Sequence, residues 1–191
     1  MATQRKPYIT PEDYLTTERE SDFKSEYFDG EVYAMSGASR AHNLVVSNLV
    51  TSLNNRLGDT CSVFPSDMRV HVPASGLYTY PDVSVVCGEE QYLEDTHLDT
   101  LLNPLVLLEV LSLSTGKYDR GDKFLFYKSI PSLQHYVVIE SQRPLVGVYT
   151  RGADNSWLFQ EYKDLQATLP LPALELELPL TEIYRKITFL S

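Results

Sequence analysis

The sequence predicts an α/β fold, a mixed β-sheet with flanking helices and with N-terminal and C-terminal hairpins. Three observations carry this expectation. Leu105-Val-Leu-Leu-Glu-Val-Leu111 is an apolar run of strand length, the pattern of a strand covered on both faces. A helical stretch over about 118–129 separates it from a second strand-like run, Leu133 to Glu140. Strand, helix and strand in that order imply a right-handed parallel crossover. Asp29-Gly30, and later Gly152 to Asn155, each interrupt a pair of strand-like segments as hairpin turns do. The 191 residues suffice for a single well-buried domain, expected over 1–191.

The elements follow in order. Thr10 is the N-cap of a short helix with Pro11 at its first position. Lys24 to Phe28 and Glu31 to Met35 flank Asp29-Gly30, two residues that tolerate the positive φ of a tight turn. Ser39 caps a helix that reaches Leu57 and ends at Gly58; Val45, Val46, Leu49, Leu53 and Leu57 form its apolar stripe. Strands then run from Cys61 to Cys87, broken at Phe64 to Ser66 and at Ala74 to Gly76. Met68, Val70 and Val72 alternate with Asp67, Arg69 and His71, so one face of that strand reads as polar. Ile130-Pro131 ends the crossover helix. Leu145 to Thr150 and Trp157 to Tyr162 form the second hairpin. Leu174, Leu176 and Leu178 alternate with Glu175 and Glu177 before a short helix near Thr181 to Tyr184.

Composition is that of an ordinary globular protein, 43% hydrophobic and 22% charged. No run of about 18 apolar residues exists, so no membrane span is expected, and the N-terminus lacks the pattern of a secretory signal. Cys61 and Cys87 stand far apart with no CxxC or Cys/His cluster and read as reduced thiols of a cytoplasmic protein. The net charge of −10 argues against a general nucleic-acid binder. It does not argue against an enzyme that binds nucleic acid locally, because carboxylates awaiting a metal count as negative. Charge is uneven. Glu89, Glu90, Glu94, Asp95 and Asp99 crowd one loop, whereas Lys117, Arg120, Lys123 and Lys128 gather in the crossover segment against Asp119 and Asp122.

Glu109 is the anomaly. A carboxylate inside an aliphatic strand must be paired, neutralised or bound to a cation. A buried ion pair, an edge strand facing water and a metal ligand all remain open. Asp82 follows Pro81 at the entry of another apolar strand, as a turn residue or as an acid pointing into a cleft. Asp119, Lys123 and Tyr127 are spaced i, i+4, i+8 and share one helix face. Lys123 there is a surface ion-pair partner or, with Phe124 and Tyr127 beside it, an inward cation. Weaker supporting candidates are Glu26, before the first turn; His42, within the apolar stripe of its helix and readable as a core histidine; and Asp67, on the polar strand face with Arg69. His71, His97 and His135 lack zinc-ligand spacing, and no GxSxG, P-loop or dinucleotide motif is present.

Pro81-Asp82, Glu109 to Thr115, then Asp119 and Lys123 to Tyr127, resemble the Uma-type "putative restriction endonuclease" family of the PD-(D/E)XK nuclease superfamily. Glu26 with the Asp29-Gly30 hairpin, the His42 helix and the strand over 136–139 fit as well, so the resemblance spans about residues 10–185. It implies a restriction-endonuclease-like domain and metal-dependent hydrolysis of DNA phosphodiester bonds. Asp82 and Glu109, with the Val110 carbonyl, would hold Mg2+ or Mn2+, and Lys123 would be the catalytic cation. Leu111 stands where the superfamily places its lysine, so the resemblance implies that the lysine has moved onto the following helix. Leu113 and Gly116 also depart from the family's loop. Cutting both strands of a duplex suggests a homodimer. The alternative is a catalytically inactive module that keeps the nuclease fold for binding or regulation. A third reading is a plain structural domain in which Glu109 and Lys123 form a buried ion pair.

Overall fold

A computed structural model describes residues 7–93, 96–112, 118–119 and 121–189. Helix α1 (Pro11–Glu20) is capped by Thr10, whose hydroxyl accepts from the Asp13 N–H at 3.1 Å. The hairpin of β1 (Ser25–Phe28) and β2 (Glu31–Ala34) turns at Asp29 and Gly30 with φ of 48° and 80°, which Asp and Gly tolerate. Helix α2 (Arg40–Leu57) starts at Ser39, which accepts from the His42 N–H, and ends at Gly58 with φ of 55°. Next come β3 (Cys61–Pro65), β4 (Arg69–Val72), β5 (Leu77–Thr79), β6 (Val83–Cys87), β7 (Thr100–Leu101) and β8 (Val106–Leu111). Helix α3 (Asp122–Tyr127), β9 (His135–Glu140), the hairpin β10 (Val146–Arg151) and β11 (Trp157–Tyr162), β12 (Thr168–Leu171), β13 (Leu176–Pro179) and α4 (Leu180–Ile183) complete the order.

Two larger sheets and a two-stranded one result. One runs β11-β10-β9-β8-β6-β3; β8 and β9 are parallel and its other pairs antiparallel. The parallel crossover over residues 105–140 is therefore present, within the expected mixed sheet. The other runs β2-β1-β5-β4-β7, and β12 pairs with β13 apart from both.

All six residues of β8 are buried, because layers cover both faces of the sheet. Val106, Leu108 and Val110 pack in one core with Val45, Leu49, Leu53 and Leu57 of α2. Leu107 and Leu111 point the other way, into a second core with Val70, Leu77, Tyr127 and Tyr136. Strand alternation puts Glu109 on that second face, between the two large sheets and against α3. This is what makes its pairing unavoidable.

One expectation is corrected here. Cys61 and Cys87 are not free thiols: the β3–β6 register sets them directly opposite and they form a disulfide. Spacing along the chain concealed a pairing that register creates. With a sequence separation of 26, breaking the bond is expected to cost about 3 kcal/mol. Thermal unfolding with and without a reductant, or of the Cys61→Ser/Cys87→Ser variant, should show a Tm lower by roughly 6–12 °C.

The polar face expected around Arg69 is present, and much of it is covered. Arg69 is buried, with its guanidinium 2.8 Å from Asp99 and 2.9 Å from both the Tyr80 and Thr100 hydroxyls. β4 lies inside its sheet and packs toward α1, so this face carries a polar network. Asp99 also holds Arg19 at 2.9 Å; burial opposes its ionisation, but the Arg19 and Arg69 cations hold its carboxyl well below the usual range. The Leu113 and Gly116 departures, with Glu94, Asp95, Lys117 and Arg120, lie outside the described residues. Among the described residues no helix is long and apolar enough to cross a membrane.

Candidate active site

The ladder between β6 and β8 ends at Val83 and Leu108, and Asp82 and Glu109 stand one residue beyond that pair. Pro81 has no N–H with which to continue the ladder. Asp82 replaces it: its Oδ2 accepts from the Val110 N–H at 2.7 Å, which fixes the carboxylate against the neighbouring strand. The same oxygen lies 3.2 Å from Nε2 of His42, in the first turn of α2. His42 is thus at the end of the apolar stripe rather than within the core, and it meets the acid that precedes β6.

Glu109 is 4% exposed. Its Oε1 accepts from the Lys123 ammonium at 3.1 Å and from the Tyr127 hydroxyl at 2.9 Å, two groups one turn apart on α3. Nζ of Lys123 is also 3.0 Å from Glu26 Oε1 on β1 and 3.4 Å from Asp119 Oδ1, one turn before it. Glu26 is in turn held by the Thr79 hydroxyl at the end of β5. Residues from both large sheets and α3 therefore converge on one ammonium.

Charge sets the protonation states. Burial pushes the Glu109 carboxyl up to about 8; Lys123 opposes this, and the nearby charges of Asp82, Asp119 and Glu26 add to it. Burial alone would discharge Lys123, but Glu109, Tyr127, Glu26 and Asp119 outweigh it and hold the ammonium charged. Burial, reinforced by Glu109, pushes the Tyr127 phenol well above its ordinary value, so it acts as a neutral donor. Three carboxylates share one ammonium and the charge of a fourth, Asp82, lies near Glu109, an arrangement that favours a proton or a further cation.

The arrangement can be set beside known proteins. The model of the family described as "Uma2: Putative restriction endonuclease" matches residues 11–181. The chain belongs to the Uma2 family. Two Synechocystis relatives agree. The uncharacterized protein slr1290 is 36% identical over 184 residues, covering 96% of this chain and 95% of that one. The uncharacterized protein sll1609 is 36% identical over 154 residues, covering 80% and 86%. A crystal structure of a "putative nuclease belonging to DUF820" from Anabaena variabilis superposes with a TM-score of 0.76 at 20% identity, covering 92% of this chain and 97% of that one. This Uma2 chain therefore has the mixed α/β, nuclease-like fold.

Of the residues singled out in the sequence, the fold of this Uma2 protein brings together Asp82, Glu109, Lys123, Glu26 and His42. Asp67 is not among them: it is 85% exposed and paired with Lys24 at 2.9 Å. It lies in the turn between β3 and β4, at the surface and outside the carboxylate cluster. Asp119, Tyr127 and Thr79 belong to the cluster but were not candidates on their own. The helical spacing of Asp119, Lys123 and Tyr127 was the signal for two of them; nothing local marked Thr79.

Among the described residues no group of three His, Cys, Asp or Glu side chains is arranged to hold a metal ion by itself. Mg2+ does not require one, because it binds through one or two carboxylates, retained waters and substrate phosphate. The protein's own donors engage Oε1 of Glu109 and Oδ2 of Asp82. Oε2 of Glu109 and Oδ1 of Asp82 are the atoms with which the Uma2 chain would ligate such an ion. The donor set fits.

Proposed function

We propose that this Uma2 protein is a metal-dependent endonuclease that hydrolyses DNA phosphodiester bonds. One observation carries the reading: Asp82, the residue before β6, stands beside Glu109 of the neighbouring strand β8, and Glu109 is joined to the ammonium of Lys123. Asp82 and Glu109 would hold Mg2+ or Mn2+, with the Val110 carbonyl as a further oxygen. When bound, that ion would supply Lewis-acid stabilisation of the scissile phosphate and acidify a water.

The remaining groups position and balance charge. The Val110 N–H and His42 orient Asp82. Tyr127 and Lys123 fix Glu109 through one oxygen. The Lys123 ammonium would stabilise a phosphate gaining negative charge beside Glu109. With a net charge of −10, DNA must be held locally rather than by the whole surface. Arg40, exposed at the first residue of α2 two positions before His42, is a cation suited to that. A homodimer would present one site to each strand of a duplex.

The test is cleavage of supercoiled plasmid in Mg2+ or Mn2+, with EDTA as control. Nicked or linear product that EDTA abolishes is expected. Metal binding without cleavage would instead support a module that keeps the fold and has lost the reaction.

A further inference from the structure

We propose that the Lys123 ammonium occupies the place of a second divalent cation. Each chain then takes one metal ion, and Glu26 and Asp119 serve the lysine rather than the metal. The inference rests on the metal-dependent reading above and deepens it.

The geometry is that of an ammonium socket. Three carboxylate oxygens from three elements surround Nζ at 3.0, 3.1 and 3.4 Å. These are the spacings of N–H···O contacts. A magnesium ion needs its oxygens at about 2.0–2.1 Å, and among the described residues no three acids come together that way.

Two of the three oxygens are also held independently of the lysine, and the backbone of the third acid is anchored. Thr79 holds Glu26 Oε1, Tyr127 holds Glu109 Oε1, and the Tyr136 hydroxyl donates to the Asp119 carbonyl at 2.6 Å. Closing the Glu26 and Glu109 oxygens onto a smaller ion would break their bonds to Thr79 and Tyr127 and leave a buried ammonium without its counter-charges. Asp82 stands outside the socket, with His42 and the Val110 N–H, and no contact ties it to Lys123. The remaining cation position is therefore the one between Asp82 and the other oxygen of Glu109.

Isothermal titration of the full chain with MnCl2 at pH 8 tests this, on wild type, Glu26→Gln and Asp82→Asn, with thermal unfolding to confirm that each is folded. The expected result is one Mn2+ per wild-type chain. Glu26→Gln should keep that ion with affinity within about threefold, since glutamine still accepts from Lys123. Asp82→Asn should weaken it by about tenfold or more. Two Mn2+ per wild-type chain, or loss of an ion on Glu26→Gln, overturns the inference and leaves the metal-dependent reading standing. No Mn2+ on the wild type overturns both.

Discussion

Replacing Lys123 by Met is expected to destabilise the protein by about 3–5 kcal/mol, seen as a Tm lower by roughly 6–20 °C. The substitution keeps the length of the side chain and removes its charge. Glu26, Glu109 and Asp119 would then lose their shared cation inside a site where Lys123 and Glu109 are each about 5% exposed. The neighbouring substitution Glu109→Gln should act in the opposite direction. It leaves Lys123 with two carboxylates and removes an acid whose ionisation burial opposes. The sign follows from linkage. The folded carboxyl is raised from 4.5 to about 8, so protonation favours the folded state. The contribution of Glu109 is complete below pH 4.5 and is lost as pH rises through 8. Wild type should therefore fall behind Glu109→Gln in Tm between those limits. A gap that stays constant over this range, or a neutral Lys123→Met, would remove the charge-sharing account of the cluster.

Asp82→Asn is expected to reduce DNA cleavage by about 10^3-fold or more with little change in Tm. Asparagine retains an oxygen to accept the Val110 N–H, so the strand ends stay in place. What it loses is the charge that holds a divalent ion. The stabilisation conferred by Mn2+ should vanish with it, worth about 2.7 kcal/mol at a hundredfold excess over Kd. Plasmid cleavage and Mn2+-dependent thermal shift, measured on the same preparation, read both effects. Retained cleavage in a folded Asp82→Asn protein would exclude Asp82 from the machinery.

How far the site was legible in the sequence follows from the range of each signal. Glu109 was visible because an acid in an aliphatic strand conflicts with its surroundings, and the conflict is local. Lys123 was visible as a cation on a helix face with Asp119 and Tyr127, and α3 turns that face inward. The two hairpins, both helix caps and the parallel crossover were legible because turn and cap chemistry acts over a few residues. The Cys61–Cys87 bond and the Thr79–Glu26 contact were not, since each arises from strand register between distant segments. The same limit explains Arg69 and Asp67. Their alternation with Val70 and Met68 suggested one polar face, but packing buried Arg69 with Asp99 and left Asp67 in solvent. His42 shows an intermediate case: helical spacing put it in line with the apolar stripe, and only the fold reveals that this end of α2 reaches Asp82.

The account stands on Asp82 and Glu109 sharing a divalent ion. A crystal soaked in MnCl2, with anomalous data collected at the manganese edge, tests that most directly. The predicted result is one peak at about 2.0–2.2 Å from an oxygen of each carboxylate, with Lys123 still joined to Oε1 of Glu109. A site without manganese at saturating concentration, or an ion bound only by Glu26 and Asp119, would contradict it.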